Sequence, residues 1–166
     1  METLFWSKGI LKNKLVIKRG NEQIGMINWN GFFSSGAFAV LEGRRFFLNR
    51  DFFLSRLEIQ DANNQAVLGS IMINLFNPRS DMIINGKRFE LEIKNFWQSR
   101  WAWKFNGQEI ITFQSDGLLS RDNGHIEVST AGTEEIEILI LLGLFVRNQF
   151  ILFGLFILLI ILVVIL

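Results

Sequence analysis

Residues 136–166 read IEILILLGLFVRNQFILFGLFILLIILVVIL, and the rest of the chain has to be arranged around them. Two apolar runs, Ile138 to Val146 and Phe150 to Leu166, are separated only by Arg147, Asn148 and Gln149. As a helix, Phe150 to Leu166 extends ~26 Å, close to the ~30 Å of a bilayer core. Its Leu, Ile, Val and Phe residues contribute about −0.3 to −0.6 kcal/mol each on insertion scales, several kcal/mol in all. The run is therefore expected to be a membrane anchor. In a single span from Ile136 to Leu166, Arg147 would sit near the bilayer centre at a cost of about 3 kcal/mol. With Arg147 at the interface, Ile136 to Val146 lies outside the bilayer as about three turns, apolar all round, that protein must enclose. Thr133 suits an N-cap, and Glu134, Glu135 and Glu137 suit the positive end of the helix dipole. The expectation is a short buried helix, residues 134–146, followed by an anchor, residues 150–166. The sequence also admits a second arrangement, in which Phe150 to Leu166 threads the protein and Ile136 to Val146 leads into it.

Upstream, from Lys14 to Thr130, short alternating segments are divided by glycine turns. Asn-Gly occurs at Asn30-Gly31, Asn85-Gly86, Asn106-Gly107 and Asn123-Gly124, and Asp116-Gly117 adds another turn. Asn-Gly between alternating segments is the strongest short-range hairpin signal. The last three pairs predict hairpins joining Met82–Ile84 to Arg88–Lys94, Trp101–Phe105 to Glu109–Gln114, and Leu118–Arg121 to His125–Ser129. Further strands are expected at Leu15–Lys18, Gln23–Trp29, Phe38–Glu42, Arg45–Leu48, Arg56–Gln60 and Ala66–Asn74. In Arg56–Gln60 and Glu90–Lys94 one face is aliphatic and the other polar, the pattern of an antiparallel sheet with one wet face.

About twelve such strands and one apolar helix point to one solution. Closing the sheet removes its edges, and a barrel of about twelve strands is wider than its own side chains can fill. The helix fills it. The fold class is thus mainly β: a closed antiparallel barrel around a hydrophobic C-terminal helix, residues 1–146, followed by the anchor.

On the succession Asn85-Gly86-Lys87-Arg88-Phe89-Glu90-Leu91, then Trp103 to Ile110, then the helix Ile136 to Leu144, the chain resembles the tubby C-terminal-like superfamily, which includes phospholipid scramblases and LURP-one-related proteins. The resemblance covers about Leu15 to Val146 and implies a closed barrel threaded by a hydrophobic helix. The proline-rich and cysteine-rich segments of the scramblase relatives are missing. The phosphoinositide pocket of tubby proteins finds no residue-by-residue match, and Phe150 to Leu166 is an addition to the family's usual ending.

Composition narrows the function. A formal net charge of +1 gives no reason to expect a nucleic-acid partner, and the lack of cysteine removes disulfides and thiolate metal sites. The N-terminus has no secretory signal pattern, so a tail-anchored chain with a cytoplasmic body is expected, with Arg147 as a positive-inside flank. The single histidine, His125, reads as a hairpin residue, and Asp51, Asp61, Asp81, Asp116 and Asp122 read as turn residues. No nucleophile elbow, calcium loop or phosphate-binding glycine loop is found. No catalytic, metal or cofactor site is expected, and the protein reads as a non-enzyme.

What remains is basic and aromatic. Lys87, Arg88, Lys94, Arg100 and Lys104 accompany Phe96, Trp97, Trp101 and Trp103, and tryptophan and basic side chains both favour an anionic membrane interface. Lys87, Arg88, Lys94, Arg100, Lys104, Trp97 and Trp101 are the candidate lipid-binding set, against the plainer reading that the tryptophans pack the barrel and the cations decorate its wet face. Arg44, Arg45 and Arg50 beside Phe46, Phe47, Phe52 and Phe53 form a second, weaker cluster. The expected function is contact with anionic phospholipid head groups; the alternatives are a tail-anchored protein-binding adaptor and a scramblase-like lipid mover.

Overall fold

The computed structural model of the chain describes residues 1–9, 12–31, 34–51, 56–73, 79–95, 99–117, 122–129 and 134–165. Twelve strands among them form one closed barrel: β1 (Glu2–Lys8), β2 (Lys14–Arg19), β3 (Glu22–Trp29), β4 (Gly36–Leu41), β5 (Arg44–Asp51), β6 (Arg56–Asp61), β7 (Val67–Met72), β8 (Arg79–Ile84), β9 (Lys87–Ile93), β10 (Arg100–Phe105), β11 (Gln108–Ser115) and β12 (Asp122–Val128). Each strand runs antiparallel to both neighbours, and β1 closes the ring between β12 and β2. The seam between β7 and β8 is narrow, with Ile71 opposite Met82 as its registered pair among the described residues.

The alternation does what the sequence predicts. Leu57 and Ile59 of β6, and Phe89 and Leu91 of β9, point inward and are buried, while the residues between them reach the surface. At Asn85-Gly86 and Asn106-Gly107 both residues have positive φ (50° and 74°, 51° and 77°), the geometry of the two-residue turn that matches strand twist. Two features depart from expectation. Asn123-Gly124 is not a turn but lies within β12, because Gly124 is where the wall is tightest. A Cβ there would sit 2.1 Å from the Gln114 carbonyl oxygen and 2.4 Å from the Trp6 ring. The strand expected at Leu118–Arg121 lies outside the described residues. The second departure is β1 itself, hidden in the sequence because Leu4-Phe5-Trp6 is uniformly apolar; only Leu4 and Trp6 face the bore, and Phe5 is 48% exposed.

The expected pair of helices is one. α1 (Glu134–Ile165) runs without a break through Arg147-Asn148-Gln149, a length of ~48 Å; the proposed cap Thr133 lies outside the described residues. From Ile138 to Phe150 every residue is buried, so the helix packs the barrel on all sides. Beyond the barrel, Ile157 to Ile165 are 41–78% exposed. The arrangement with Phe150–Leu166 inside the barrel is therefore overturned, and the enclosed segment reaches Phe150 rather than ending at Val146.

The helix has one allowed register. Trp103 Nε1 donates to the Leu139 carbonyl (2.7 Å) and Trp101 Nε1 to the Gly143 carbonyl (3.1 Å), two bonds one helical turn apart. Phe145 stacks on Trp29 at 6.4 Å. Gly143 passes beneath Phe113, where a Cβ would lie 2.4 Å from the ring.

Candidate functional site

The helix gives the barrel two unlike mouths. At the lower mouth, where α1 enters, Glu135 accepts from Lys87 (3.0 Å) and Asn85 (3.3 Å) at the β8–β9 turn, and Glu137 pairs with Arg44 (3.3 Å) after the β4–β5 turn. At the upper mouth, where α1 leaves, the three polar residues of the helix are buried among strand ends. Arg147 Nη1 lies 3.0 Å from Asp122 Oδ1, Nη2 donates to Ser115 Oγ (2.8 Å), and the guanidinium sits over the Trp101 ring. Lys8 donates to Asn148 and lies over Trp29, and Arg50 donates to Gln149 Oε1 (3.0 Å). Burial pulls the Lys8 ammonium below the usual lysine range, and Asp122 partly opposes the shift.

Each of Arg147, Asn148 and Gln149 thus has a partner on the barrel rim, while Arg147 Nε and Gln149 Nε2 are buried without a hydrogen bond. The interruption that reads in the sequence as a boundary between two helices is a polar collar around one. Above it the helix is apolar from its first residue.

The seven candidate lipid-binding residues do not form one site. Lys87 and Arg88 lie at the lower mouth, away from the emerging helix; Lys87 is held by Glu135, and Arg88 pairs with Asp81. Lys94 and Lys104 belong to an ionic network on the outer wall. Lys94 bridges Glu92 and Glu109, each at 2.7 Å; Lys104 also pairs with Glu92, and Arg100 lies 3.7 Å from Glu109. The network surrounds Ala102, which stands opposite Glu92 and Thr112 and is fully buried. Hydrogen bonds from Lys104 and Lys94 hold the Glu92 carboxyl down to about 2, while its carboxylate partners raise Lys94. Trp101 is inside the barrel, 3% exposed and stacked on Phe113 at 5.0 Å, so it packs the core and cannot meet lipid. Trp97 lies outside the described residues. Of the six that are described, Arg100 is the one placed at the upper mouth with an exposed side chain.

The balance of charge differs between the mouths in a way the linear sequence conceals. Lys8, Lys12, Lys14, Arg56, Arg79 and Arg100 stand on strand ends and connections at the upper mouth, against Asp51, Asp116 and Asp122. The lower mouth is mixed, with Glu2, Glu22, Glu42, Asp61, Glu135 and Glu137 beside Lys18, Arg19, Arg44, Arg45, Lys87 and Arg88. The signal was present in the sequence, but only strand polarity sorts lysines 12 and 14 with arginines 79 and 100.

Among the described residues, a crevice at the upper mouth is lined by Ile93, Trp101, Val146, Arg147 and Phe150. Among the described residues no group of three or more His, Asp or Glu side chains is placed to hold a metal ion. His125, in β12 rather than after a turn, faces Asp116 at 3.5 Å. No family model matches the chain, and comparisons with curated proteins and with solved structures find no match. Among the described residues there is one helix, Glu135–Ile165, long and apolar enough to cross a membrane.

Proposed function

We propose that the chain is a non-enzymatic, membrane-anchored barrel whose body contacts anionic phospholipid head groups at a cytoplasmic leaflet. The observation that carries this reading is the burial profile of α1: enclosed to Phe150, then bare and wholly apolar from Ile157 to Ile165. A bare helical segment of Leu, Ile and Val has no stable place in water and a favourable one in hydrocarbon, several kcal/mol in all at about −0.3 to −0.6 kcal/mol per residue. The basic upper mouth supports both the head-group contact, at about 1 kcal/mol per cation near an anionic surface, and the orientation, since basic residues flanking a span favour the cytoplasmic side. Kinship with the tubby-like superfamily belongs to the same proposal. A closed barrel threaded by a hydrophobic helix is the architecture that the resemblance implies, and its motifs fall on the β8–β9 and β10–β11 hairpins.

The test compares the full chain with one ending at Phe150, which keeps all of the enclosed helix. The full chain should resist alkaline carbonate extraction. The shortened chain should be soluble, unfold in one cooperative β-rich transition, and bind vesicles containing phosphatidylserine more tightly than neutral ones. An unfolded shortened chain would make the helical tail part of the fold and remove the anchor. Binding that ignores lipid charge would remove the head-group contact and leave a protein-binding adaptor on an anchor.

A further inference from the structure

The helix that leaves the barrel has no linker. Gln149, the last polar residue, is buried in the upper mouth, and the apolar segment begins within the same helical turn. Two carbonyl bonds from Trp101 and Trp103, the collar of Arg147, Asn148 and Gln149, and Gly143 beneath Phe113 fix the helix along the barrel axis. Burying Ile151 onward in hydrocarbon therefore draws the upper mouth flush against the bilayer surface.

The sequence of that mouth is suited to the position. Antiparallel strand order places six connections there: those between β1 and β2, β3 and β4, β5 and β6, β7 and β8, β9 and β10, and β11 and β12. Each carries an adjacent pair of large apolar residues in its sequence: Ile10-Leu11, Phe32-Phe33, Phe52-Phe53, Leu75-Phe76, Phe96-Trp97 and Leu118-Leu119. The five hairpin connections at the lower mouth, Gly20-Asn21, Glu42-Gly43, Ala62 to Ala66, Asn85-Gly86 and Asn106-Gly107, carry none. Chance does not sort apolar pairs by barrel end, and turns in water favour Gly, Asn, Asp and Ser instead. The structure fixes where the strands deliver these connections: around the emerging helix, on strand ends that also carry Lys12, Lys14, Arg79 and Arg100. Aromatic and aliphatic side chains interleaved with cations match the interfacial layer of an anionic leaflet.

We propose that the upper mouth is a membrane-seating face: its six connections enter the interfacial layer of an anionic leaflet around the helix, and the basic strand ends lie at head-group level. The inference rests on the anchor reading and adds a surface to it. It relocates the lipid contact from Lys87 and Arg88 to the opposite end of the barrel.

The chain has no cysteine, so single cysteines report position directly. Phe33→Cys, Phe53→Cys and Phe76→Cys mark three connections at the upper mouth, Asn21→Cys and Asn64→Cys the lower mouth, and Leu158→Cys the helix. Each full-length variant is labelled with an environment-sensitive fluorophore and reconstituted into phosphatidylcholine vesicles containing phosphatidylserine. Brominated lipids and aqueous iodide then serve as quenchers. The three upper labels should be quenched by shallow-brominated lipid and shielded at least threefold from iodide relative to the two lower labels; using three connections guards against a single variant that misfolds. Upper labels as open to iodide as the lower ones, with Leu158 still quenched by lipid, would overturn the seating face and leave the anchor standing. Upper labels shielded from iodide but untouched by brominated lipid would also overturn it, assigning the surface to protein contact. A Leu158 label open to iodide would overturn both readings.

Discussion

Gly143→Ala tests the threaded register by the sign of its effect. In a solvent-facing or lipid-facing helix, replacing glycine by alanine stabilises by about 1 kcal/mol, because alanine loses less backbone freedom on folding. Here the new methyl would lie 2.4 Å and 2.8 Å from two atoms of the Phe113 ring and 3.1 Å from Trp103 Nε1. The ring has little freedom to withdraw. It stacks on Trp101 with an interplanar angle of 3° and meets the edge of Trp6. Shifting the helix instead strains the bond from Trp101 to the Gly143 carbonyl. Overpacking a filled core costs about 1–3 kcal/mol, which set against the helix-propensity gain leaves a net loss of up to ~2 kcal/mol. For a domain of this size that is a fall in Tm of up to ~8 °C. Urea and thermal unfolding of the full chain in mild detergent, followed by tryptophan fluorescence, would measure it, and Phe113→Leu in the same chain should recover most of the loss. A Gly143→Ala variant that is more stable than the wild type would refute the register.

Three further outcomes follow from the collar, the wall network and the charge balance. Arg147→Met should cost ~2–3 kcal/mol in urea unfolding, below the ~3–5 kcal/mol of a fully buried pair, because Asp122 keeps 19% exposure; adding Asp122→Leu should restore stability, and additive losses would deny the pair. The Glu92 carboxyl is depressed from 4.5 to about 2 in the folded state, so its contribution is complete above the unfolded value and is lost as pH falls from about 4.5 towards 2. The full linkage value of ~3 kcal/mol is reduced by solvent screening to ~1 kcal/mol, and Glu92→Gln should flatten the acid limb of stability by that amount. Charge reversal at Lys12, Lys14 and Arg100 should weaken the preference for phosphatidylserine vesicles by at least tenfold, at about 1 kcal/mol per cation. Arg88→Ala, at the opposite mouth, should leave that preference unchanged in the same flotation assay.

The barrel was legible because its information is local. Alternation of period two in Arg56–Gln60 and Glu90–Lys94, with Asn-Gly turns whose left-handed backbone few other residues accept, specifies hairpins without reference to anything distant. Where a residue served a distant contact, local rules failed. Gly124 follows Asn123 as it would in a turn, yet it is glycine because Trp6, more than a hundred residues away, lies across it. Trp101 has the neighbours of an interfacial tryptophan and the geometry of a core one. The candidate lipid-binding residues are dispersed for the same reason. Proximity in sequence grouped Lys87 with Arg100, but a strand running from one mouth to the other separates them, while Lys12, Arg79 and Arg100 are assembled only by closure of the ring. The polar collar was misread as a helix boundary because its partners, Ser115, Asp122, Lys8 and Arg50, come from four strand ends and have no trace near residue 147.

Two destinations compete for this helix, since Ile138 to Ile165 is apolar enough for either the bore or a bilayer. Hydrophobicity alone cannot choose where along its length the division falls. A slip of one turn towards the membrane, ~5.4 Å, would carry Arg147 out of the mouth at about 3 kcal/mol on insertion scales, and would leave Asp122 unpaired at the rim. The Trp101 and Trp103 donors would still find carbonyls four residues back, because the helix repeats at that spacing. Gly143, however, would leave Phe113, and Leu139, the residue four before it, would come under the ring with a full side chain. A slip the other way would bring Ile151 into the place of Arg147, where no apolar partner is prepared for it among Ser115, Asp122 and Lys8. The tryptophans favour a periodic set of positions, and only the glycine and the collar select one of them. The boundary between the enclosed and the emergent parts of the helix is therefore set by four residues, Gly143, Arg147, Asn148 and Gln149, and changing those residues should shift the barrel along the helix without altering either.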